Sequence, residues 1–290
     1  MIASLNSSKK QQTVKNQFSL KGVGLHSGEI VNLVIQPAKT GHGIKFVRTD
    51  LLRNNLIDAL WSNVTSTNLC TTISNDKGVS ISTIEHLMSA LSGMHIDNAN
   101  ILISGSEVPI MDGSSFPFVE QLEISGIQKQ DVDRKILLIN KEVQVNKNDS
   151  YAKIIPSKQF SINFEIEFES NLVNKQSCQL QLINGNYKSD ISSARTFGFE
   201  KDVDYLRSNG LALGGSLDNA VVIGEHNILN KEGLRFDDEF VRHKILDSIG
   251  DLYLAGNPIQ GYFYGNKSGH YLNNQLLKKL FSDKSNFNLV

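Results

Sequence analysis

DDEFVRHKILDSIGDLYLAG, residues 237–256, carries the pattern on which the fold turns. Phe240, Ile245, Ile249 and Leu252 recur at helical spacing and form one apolar stripe. Asp237 and Asp238 stand at the end of the helix dipole that favours acids, and Gly256 closes the run. The segments before it have a different period. KILLI (135–139), KEVQV (141–145), YAKII (151–155) and FSINFEIEF (160–168) alternate at period 2 and predict strands. After it, IQGYFYG (259–265) reads as a buried strand and LNNQLLKKLF (272–281) as a last helix. Hairpin-like strand clusters interrupted irregularly by helices predict an α+β fold with mainly antiparallel sheets.

The first half repeats this mixture. EIVNLVIQPA (29–38) places Val31, Leu33 and Ile35 on one strand face, and NANILISGS (98–106) reads as another strand. Between them STIEHLMSALSGM (82–94) spaces Ile84, Leu87, Met88 and Leu91 as a helix does. Ser82 or Thr83 is expected to cap its start and Gly93 to end it. In EVPIMDGSS (107–115), Gly113 suits a turn, and Ser114 or Ser115 can cap a helix carrying Phe118 and Val119. Turn chemistry also suffices to explain Asp112 and His26 as structural hydrogen-bonding residues.

The chain has 290 residues, and single cores rarely keep growing beyond about 250. Two domains are therefore expected. The charged stretch QKQDVDRK (128–135) is the expected boundary, giving residues 1–11 as an extension, 12–130 as one domain and 131–290 as the other. Apolar residues make up 40% and charged residues 20%, which excludes a disordered chain. The net charge of −1 provides no global field for a polyanion, so nucleic acid is not an expected partner. No stretch approaches the roughly 18 apolar residues of a membrane span, and the N-terminus lacks the apolar core of a secretory signal. Cys70 and Cys178 are too few and too far apart for a disulfide framework, and read as reduced thiols of a cytoplasmic protein.

Several familiar motifs fail. GVGLHSG (22–28) has Ser27 where a dinucleotide-binding loop needs its third glycine, and GYFYGNKSG (261–269) has the wrong glycine spacing for a phosphate loop. GGSLD (214–218) lacks the last glycine of a nucleophile elbow. The histidines are more informative. Four residues carry a helix through about 400°, so His243 and Asp247 project from one face, roughly 6 Å apart, with Asp251 beyond them. A solvated, ion-paired helix face would explain the same spacing. A metal would need a third ligand, for which His86 is the candidate, with Glu85 pointing about 100° away toward an adjoining water. Two imidazoles and a carboxylate suit Zn²⁺ in a catalytic site.

GVGLHSG, STIEHLMSAL, EVPIMDGSS, SARTFGF (193–199), GLALGGS (210–216), FVRHKILDSIGDLYL (240–254) and KSGHYLNN (267–274) occur in this order. Together they resemble the UDP-3-O-acyl-N-acetylglucosamine deacetylases, zinc amidases of lipid A synthesis in Gram-negative bacteria, over about residues 12–285. The resemblance implies two domains of similar topology, each a sheet layered with helices, with the active site between them. It implies a Zn²⁺ cofactor (Fe²⁺ being possible in the cell) on His86, His243 and Asp247, a catalytic Glu85 and His270, an oxyanion contact at Thr196 and a supporting acid at Asp251. Phe197 and Lys244 are implied at the sugar and Lys267 at the diphosphate. A segment near 198–228 is implied as the acyl-chain groove, with Val203, Leu217, Ala220 and Val222 as its candidate lining; ordinary core packing would place the same residues. The expected partner is a UDP-linked acylated amino sugar, and the expected state is a monomer. Asn68 places a polar group near the cleft where an apolar one is expected. Two alternatives stay open: an amidase for another acylated sugar nucleotide, and a catalytically silent binding protein.

Overall fold

The computed structural model describes residues 10–182 and 185–290. Of the expected extension, residues 1–9 lie outside the described residues. Lys10 and Gln11 belong to the strand Lys10–Val14, which pairs antiparallel with Ile127–Asp133. The charged boundary stretch thus runs largely as a paired strand and not as a loose linker.

The fold is α+β, and its two halves have one topology. The first sheet has the strand order Phe18–Val23, Ile30–Pro37, Ala99–Ile103, Ile44–Arg48, Leu56–Asp58. Successive neighbours pair antiparallel, antiparallel, parallel and antiparallel. The second sheet runs Val143–Lys147, Ser150–Ile155, Tyr262–Asn266, Ser161–Glu167, Lys175–Gln181 with the same four relations. In each, the strand that comes last in the chain enters the middle of the sheet. Alternation explains why these strands have one buried face. Val31, Leu33 and Ile35 are buried between more exposed neighbours, as are Ile162, Phe164 and Ile166.

Six helices are described: α1 (Glu85–Gly93), α2 (Phe116–Ser125), α3 (Tyr187–Asp190), α4 (Glu200–Ser208), α5 (Glu239–Tyr253) and α6 (His270–Phe281). α1 precedes the central strand of the first sheet and α5 that of the second, so the two helices occupy equivalent places. They pack against each other between the halves. The approach is close enough that a Cβ at Gly250 of α5 would overlap the Glu85 carbonyl oxygen of α1. Each half also places an accessory sheet before its core helix. In the first it is Val64–Ser66, Thr72–Ser74 and Ser80–Ile81; in the second, the parallel pair Phe197–Phe199 and Val221–Ile223 flanks α4.

The expected helix caps are corrected in part. α1 starts after Ile84 and has no side-chain cap. The Ser82 hydroxyl donates to Ser106 O, and the Thr83 hydroxyl donates to Glu107 Oε1 at 2.9 Å. Thr83 has φ 57°, a strained setting for a β-branched residue, two positions before Glu85. Ser115 stands at the start of α2, but its hydroxyl hydrogen-bonds with the Tyr187 hydroxyl and the Ser192 carbonyl, not with the first turn of its own helix. At α1 a tertiary partner outcompetes the local cap, whereas at α2 the expected Ser114 serves, its Oγ accepting the N–H of Phe116, the first residue of the helix, at 3.2 Å.

Candidate active site and metal centre

The polar face of α5 does not meet solvent. His243 is 2% exposed, Asp247 3% and Asp251 3%, and on α1 Glu85 is 3% and His86 4% exposed. A solvated, ion-paired helix face is thereby ruled out. Apolar residues alone cannot explain why a chain would bury five ionisable groups where two helices meet, because each costs desolvation unless it is paired or holds a metal.

Asp247 Oδ1 lies 3.5 Å from His86 Nε2 and 3.3 Å from His243 Nε2. Ligand atoms about 2.0–2.1 Å from a tetrahedral ion stand about 3.3 Å apart, so these separations fit a shared divalent cation. Ligand atoms of all three residues lie within 4.8 Å of one another. Asp247 Oδ1 is buried and has no hydrogen-bond partner among the described residues, whereas Oδ2 accepts from Lys244 Nζ at 2.7 Å. Lys244 thus turns the carboxylate so that one oxygen faces the two imidazoles. The Nδ1–H of His243 donates to Ala194 O at 3.1 Å, which leaves its Nε2 lone pair aimed into the cluster. Burial, opposed by Asp247, pushes the His243 imidazole down to about 3, keeping it in the neutral form that metals require. Burial works against ionisation of Asp247, but His243 and Lys244 hold its carboxyl well below the ordinary range.

A second group adjoins this one. His270, at the first position of α6, donates Nδ1–H to Asp251 Oδ2 at 2.8 Å, and its Nε2 lies 3.7 Å from Glu85 Oε1. Burial disfavours the imidazolium, but Asp251 and then Glu85 outweigh it and raise His270 to about 9. Glu85 is raised above the ordinary carboxylate value by burial, with the attraction of His270 pulling the other way. The pair therefore holds an acid and a base side by side, shifted from their usual values by the same environment.

Thr196 has its N–H donated to Gly113 O at 2.7 Å, and its carbonyl accepts from Val221 N. Its hydroxyl makes no hydrogen bond among the described residues. The segment is tied to α5 by Arg195, whose Nε and Nη2 donate to the two oxygens of Glu239 at 2.9 and 3.1 Å. The Phe197 ring meets the His243 ring edge-on at 6.2 Å, and Lys244 Nζ lies 5.7 Å from the Phe197 ring centre. Lys267 borders a pocket of about 280 Å³ that also reaches His270. Its ammonium already pairs with Asp149 at 3.0 Å and Glu167 at 2.5 Å. Leu217 is 45% exposed, and Val203, Ala220 and Val222 are half-buried, so none of the four is core packing; Val221 and Ile223 take that role instead. Asn68 is exposed. A roomier cleft of about 670 Å³, bordered by His95, Arg134, Tyr187 and Tyr253, contains none of the clustered acids and histidines.

Three motifs meet at one buried acid. Glu107 accepts from the backbone N–H groups of His26 and Ser27 and from the Thr83 hydroxyl. A Cβ at Gly24 would overlap that carboxylate, which is why the loop needs glycine there. GLALGGS docks on the same loop, Leu213 N donating to His26 O and Gly214 N to Leu25 O. Asp112 holds its own turn through Ser114 and pairs with Arg235 at 2.8 Å. Both cysteines are free and buried, and burial pushes Cys70 up to about 12 and Cys178 to about 11, so neither is a nucleophile at neutral pH.

Sequence reading passes over several residues of the site. Thr71 and Asn273 both donate to Asp251, at 2.6 and 2.9 Å. Asn273 leaves a signal, since paired asparagines inside an apolar helix are poor helix formers and need another reason to be there. Thr71, one threonine among several in TSTNLCTT, leaves none. The Arg195–Glu239 pair joins positions whose proximity only the fold creates.

The family model for UDP-3-O-acyl N-acetylglycosamine deacetylase matches residues 11–282. The chain belongs to this family. A UDP-3-O-acyl-N-acetylglucosamine deacetylase of Syntrophus aciditrophicus is 50% identical over 277 residues, covering 96% of this chain and 88% of the relative. Proteins of the same name from Myxococcus xanthus and Shewanella pealeana are each 48% identical. They cover 98% and 97% of this chain and 90% and 92% of their own lengths. No helix of the described residues is long and apolar enough to cross a membrane.

Proposed function

We propose that this chain is a zinc-dependent deacetylase that hydrolyses the N-acetyl group of a UDP-3-O-acyl-N-acetylglucosamine and releases acetate, the committed step of lipid A synthesis. The observation that carries the metal is the unpartnered, buried Asp247 Oδ1 facing two imidazole nitrogens. The family supports the substrate. His86, His243 and Asp247 would hold the ion, which when bound acts as a Lewis acid that acidifies water and polarises the acetyl carbonyl. Fe²⁺ would suit the same donors.

The remaining chemistry belongs to the chain. Glu85 is the base that takes the proton of the attacking water. Its Oε2 is held by the Thr71 N–H at 3.0 Å, leaving Oε1 for that water. His270, cationic beside Asp251, places positive charge where the carbonyl oxygen becomes negative and is a proton source for the departing amine. Asp251 fixes the ring and favours its charge. The Thr196 hydroxyl is a donor for the same oxygen, a contact that gains strength where bound substrate excludes water. Phe197 and Lys244 border the sugar, and Lys267 reaches the diphosphate by exchanging Asp149 and Glu167 for it.

The proposed domains, 12–130 and 131–290, put the site at their junction. The segment 198–228 supplies the acyl groove, its half-buried Val203, Ala220 and Val222 and exposed Leu217 giving apolar surface that the core does not use. We further infer a cytoplasmic monomer.

Purified protein is expected to carry about one zinc per chain and to release acetate from UDP-3-O-acyl-N-acetylglucosamine. A chelator should abolish the reaction and added Zn²⁺ restore it. Bound metal without acetate would favour an amidase for another acylated sugar nucleotide; no metal and no acetate would favour a silent binding protein. Varying the acyl chain one methylene at a time should change kcat/KM, each buried methylene contributing about 0.8 kcal/mol. A flat response would remove segment 198–228 from the site.

A further inference from the structure

Thr71 lies in the loop between the strands Val64–Ser66 and Thr72–Ser74 and is 2% exposed. All its polar groups are engaged, and each reaches a different part of the site. Its N–H donates to Glu85 Oε2 at 3.0 Å. Its hydroxyl donates to Asp251 Oδ1 at 2.6 Å. Its carbonyl accepts from the N–H of Ile84, the residue before α1. Glu85 stands on α1 and Asp251 on α5, so one small residue binds carboxylates from both halves of the molecule.

The arrangement around Asp251 explains what this does. Oδ2 takes the His270 Nδ1–H and the Asn273 amide, while Oδ1 takes the Thr71 hydroxyl. With both oxygens held, the carboxylate cannot turn about its bond to Cβ, and the imidazole it orients cannot tilt. Glu85 is held at Oε2 by the same threonine, leaving Oε1 3.7 Å from His270 Nε2. That gap is too long for a direct hydrogen bond, so base and acid are kept near each other without quenching each other by a direct contact.

We propose that Thr71 is a positioning residue that sets the spacing between Glu85 and the Asp251–His270 pair. The proposal rests on the acid–base roles assigned above. Threonine suits the task because its methyl packs in the buried site while its hydroxyl is confined to few rotamers.

Thr71→Val keeps the shape and the backbone N–H and removes only the hydroxyl. It is expected to lower kcat by about 10- to 100-fold, the range for a lost hydrogen bond to a charged group. KM should stay within about twofold, because the contact orients reacting groups and does not bind substrate. Thr71→Ser restores the donor and should recover most of the rate. A second reading uses proton NMR of the zinc-loaded protein. The downfield proton on His270 Nδ1, identified by its loss in His270→Ala, should move in Thr71→Val and return toward its native position in Thr71→Ser. A Val variant with native kcat, equal losses in the Val and Ser variants, a rise in KM alone, or an unmoved resonance would each overturn the proposal. If the native protein released no acetate from the substrate, the functional reading would fail, and the resonance alone would decide the role of Thr71.

Discussion

Glu85→Gln should lower kcat by at least about 10²-fold while the protein folds and keeps its metal. Glutamine has the shape of glutamate and can still accept the Thr71 N–H through its amide oxygen. It cannot take a proton from water at neutral pH. The loss should therefore appear in kcat at saturating substrate, with metal content unchanged. Near-native acetate release from the metal-loaded variant would assign the base to another residue. The pH profile supplies the sign. Glu85 must be ionised to act, and burial holds its pKa above the ordinary carboxylate value, so the rate rises as pH climbs through that raised value. His270 must be cationic, and its raised value of about 9 places the fall of the rate on the alkaline side. A bound cation would repel the imidazolium and stabilise the carboxylate, moving both limbs toward lower pH. In Glu85→Gln the acid limb should disappear and the alkaline limb remain.

His243→Ala should strip the protein of its metal. Three side chains hold the proposed ion, and His243 provides one of the two imidazoles. Loss of an outer partner alone weakens a metal site by about 10–100-fold, so loss of a ligand should cost at least as much. The substitution also leaves the Ala194 carbonyl without its donor, a cost of about 1–3 kcal/mol in a buried place. Asp247 would keep Lys244 as its partner and lose the imidazole at 3.3 Å. Metal analysis after dialysis and acetate release should fall together, with the fold retained by circular dichroism. Full zinc occupancy in His243→Ala would exclude this residue as a ligand and with it the proposed centre.

How much of this was legible beforehand follows from which interactions are local. The apolar stripe of α5 and the alternation of Val31, Leu33 and Ile35 were visible because helix and strand periods are properties of neighbouring residues. The i,i+4 spacing of His243 and Asp247 was visible for the same reason. The doubling of the fold was not visible in periodicity and was expected from the family resemblance alone. Its two five-stranded sheets share an order of pairing, yet no repeated motif marks it, since many apolar sequences satisfy one topology. Caps were misplaced where a distant partner won: Thr83 turns to Glu107 and Ser115 to Tyr187. Lys267, expected at a diphosphate only from the family resemblance, is held by two carboxylates whose nearness no spacing announces.

The amino-acid order alone determined the α+β character, the two helices that carry the ionisable groups, and the residues able to bind a cation. Only the packed molecule decided that α1 lies along α5, that Thr71 joins Glu85 to Asp251, and that one oxygen of Asp247 is left facing two imidazoles. The physical reason is that periodicity is written over a few residues, whereas convergence depends on how two sheets orient the helices between them and on which buried polar atoms then find partners.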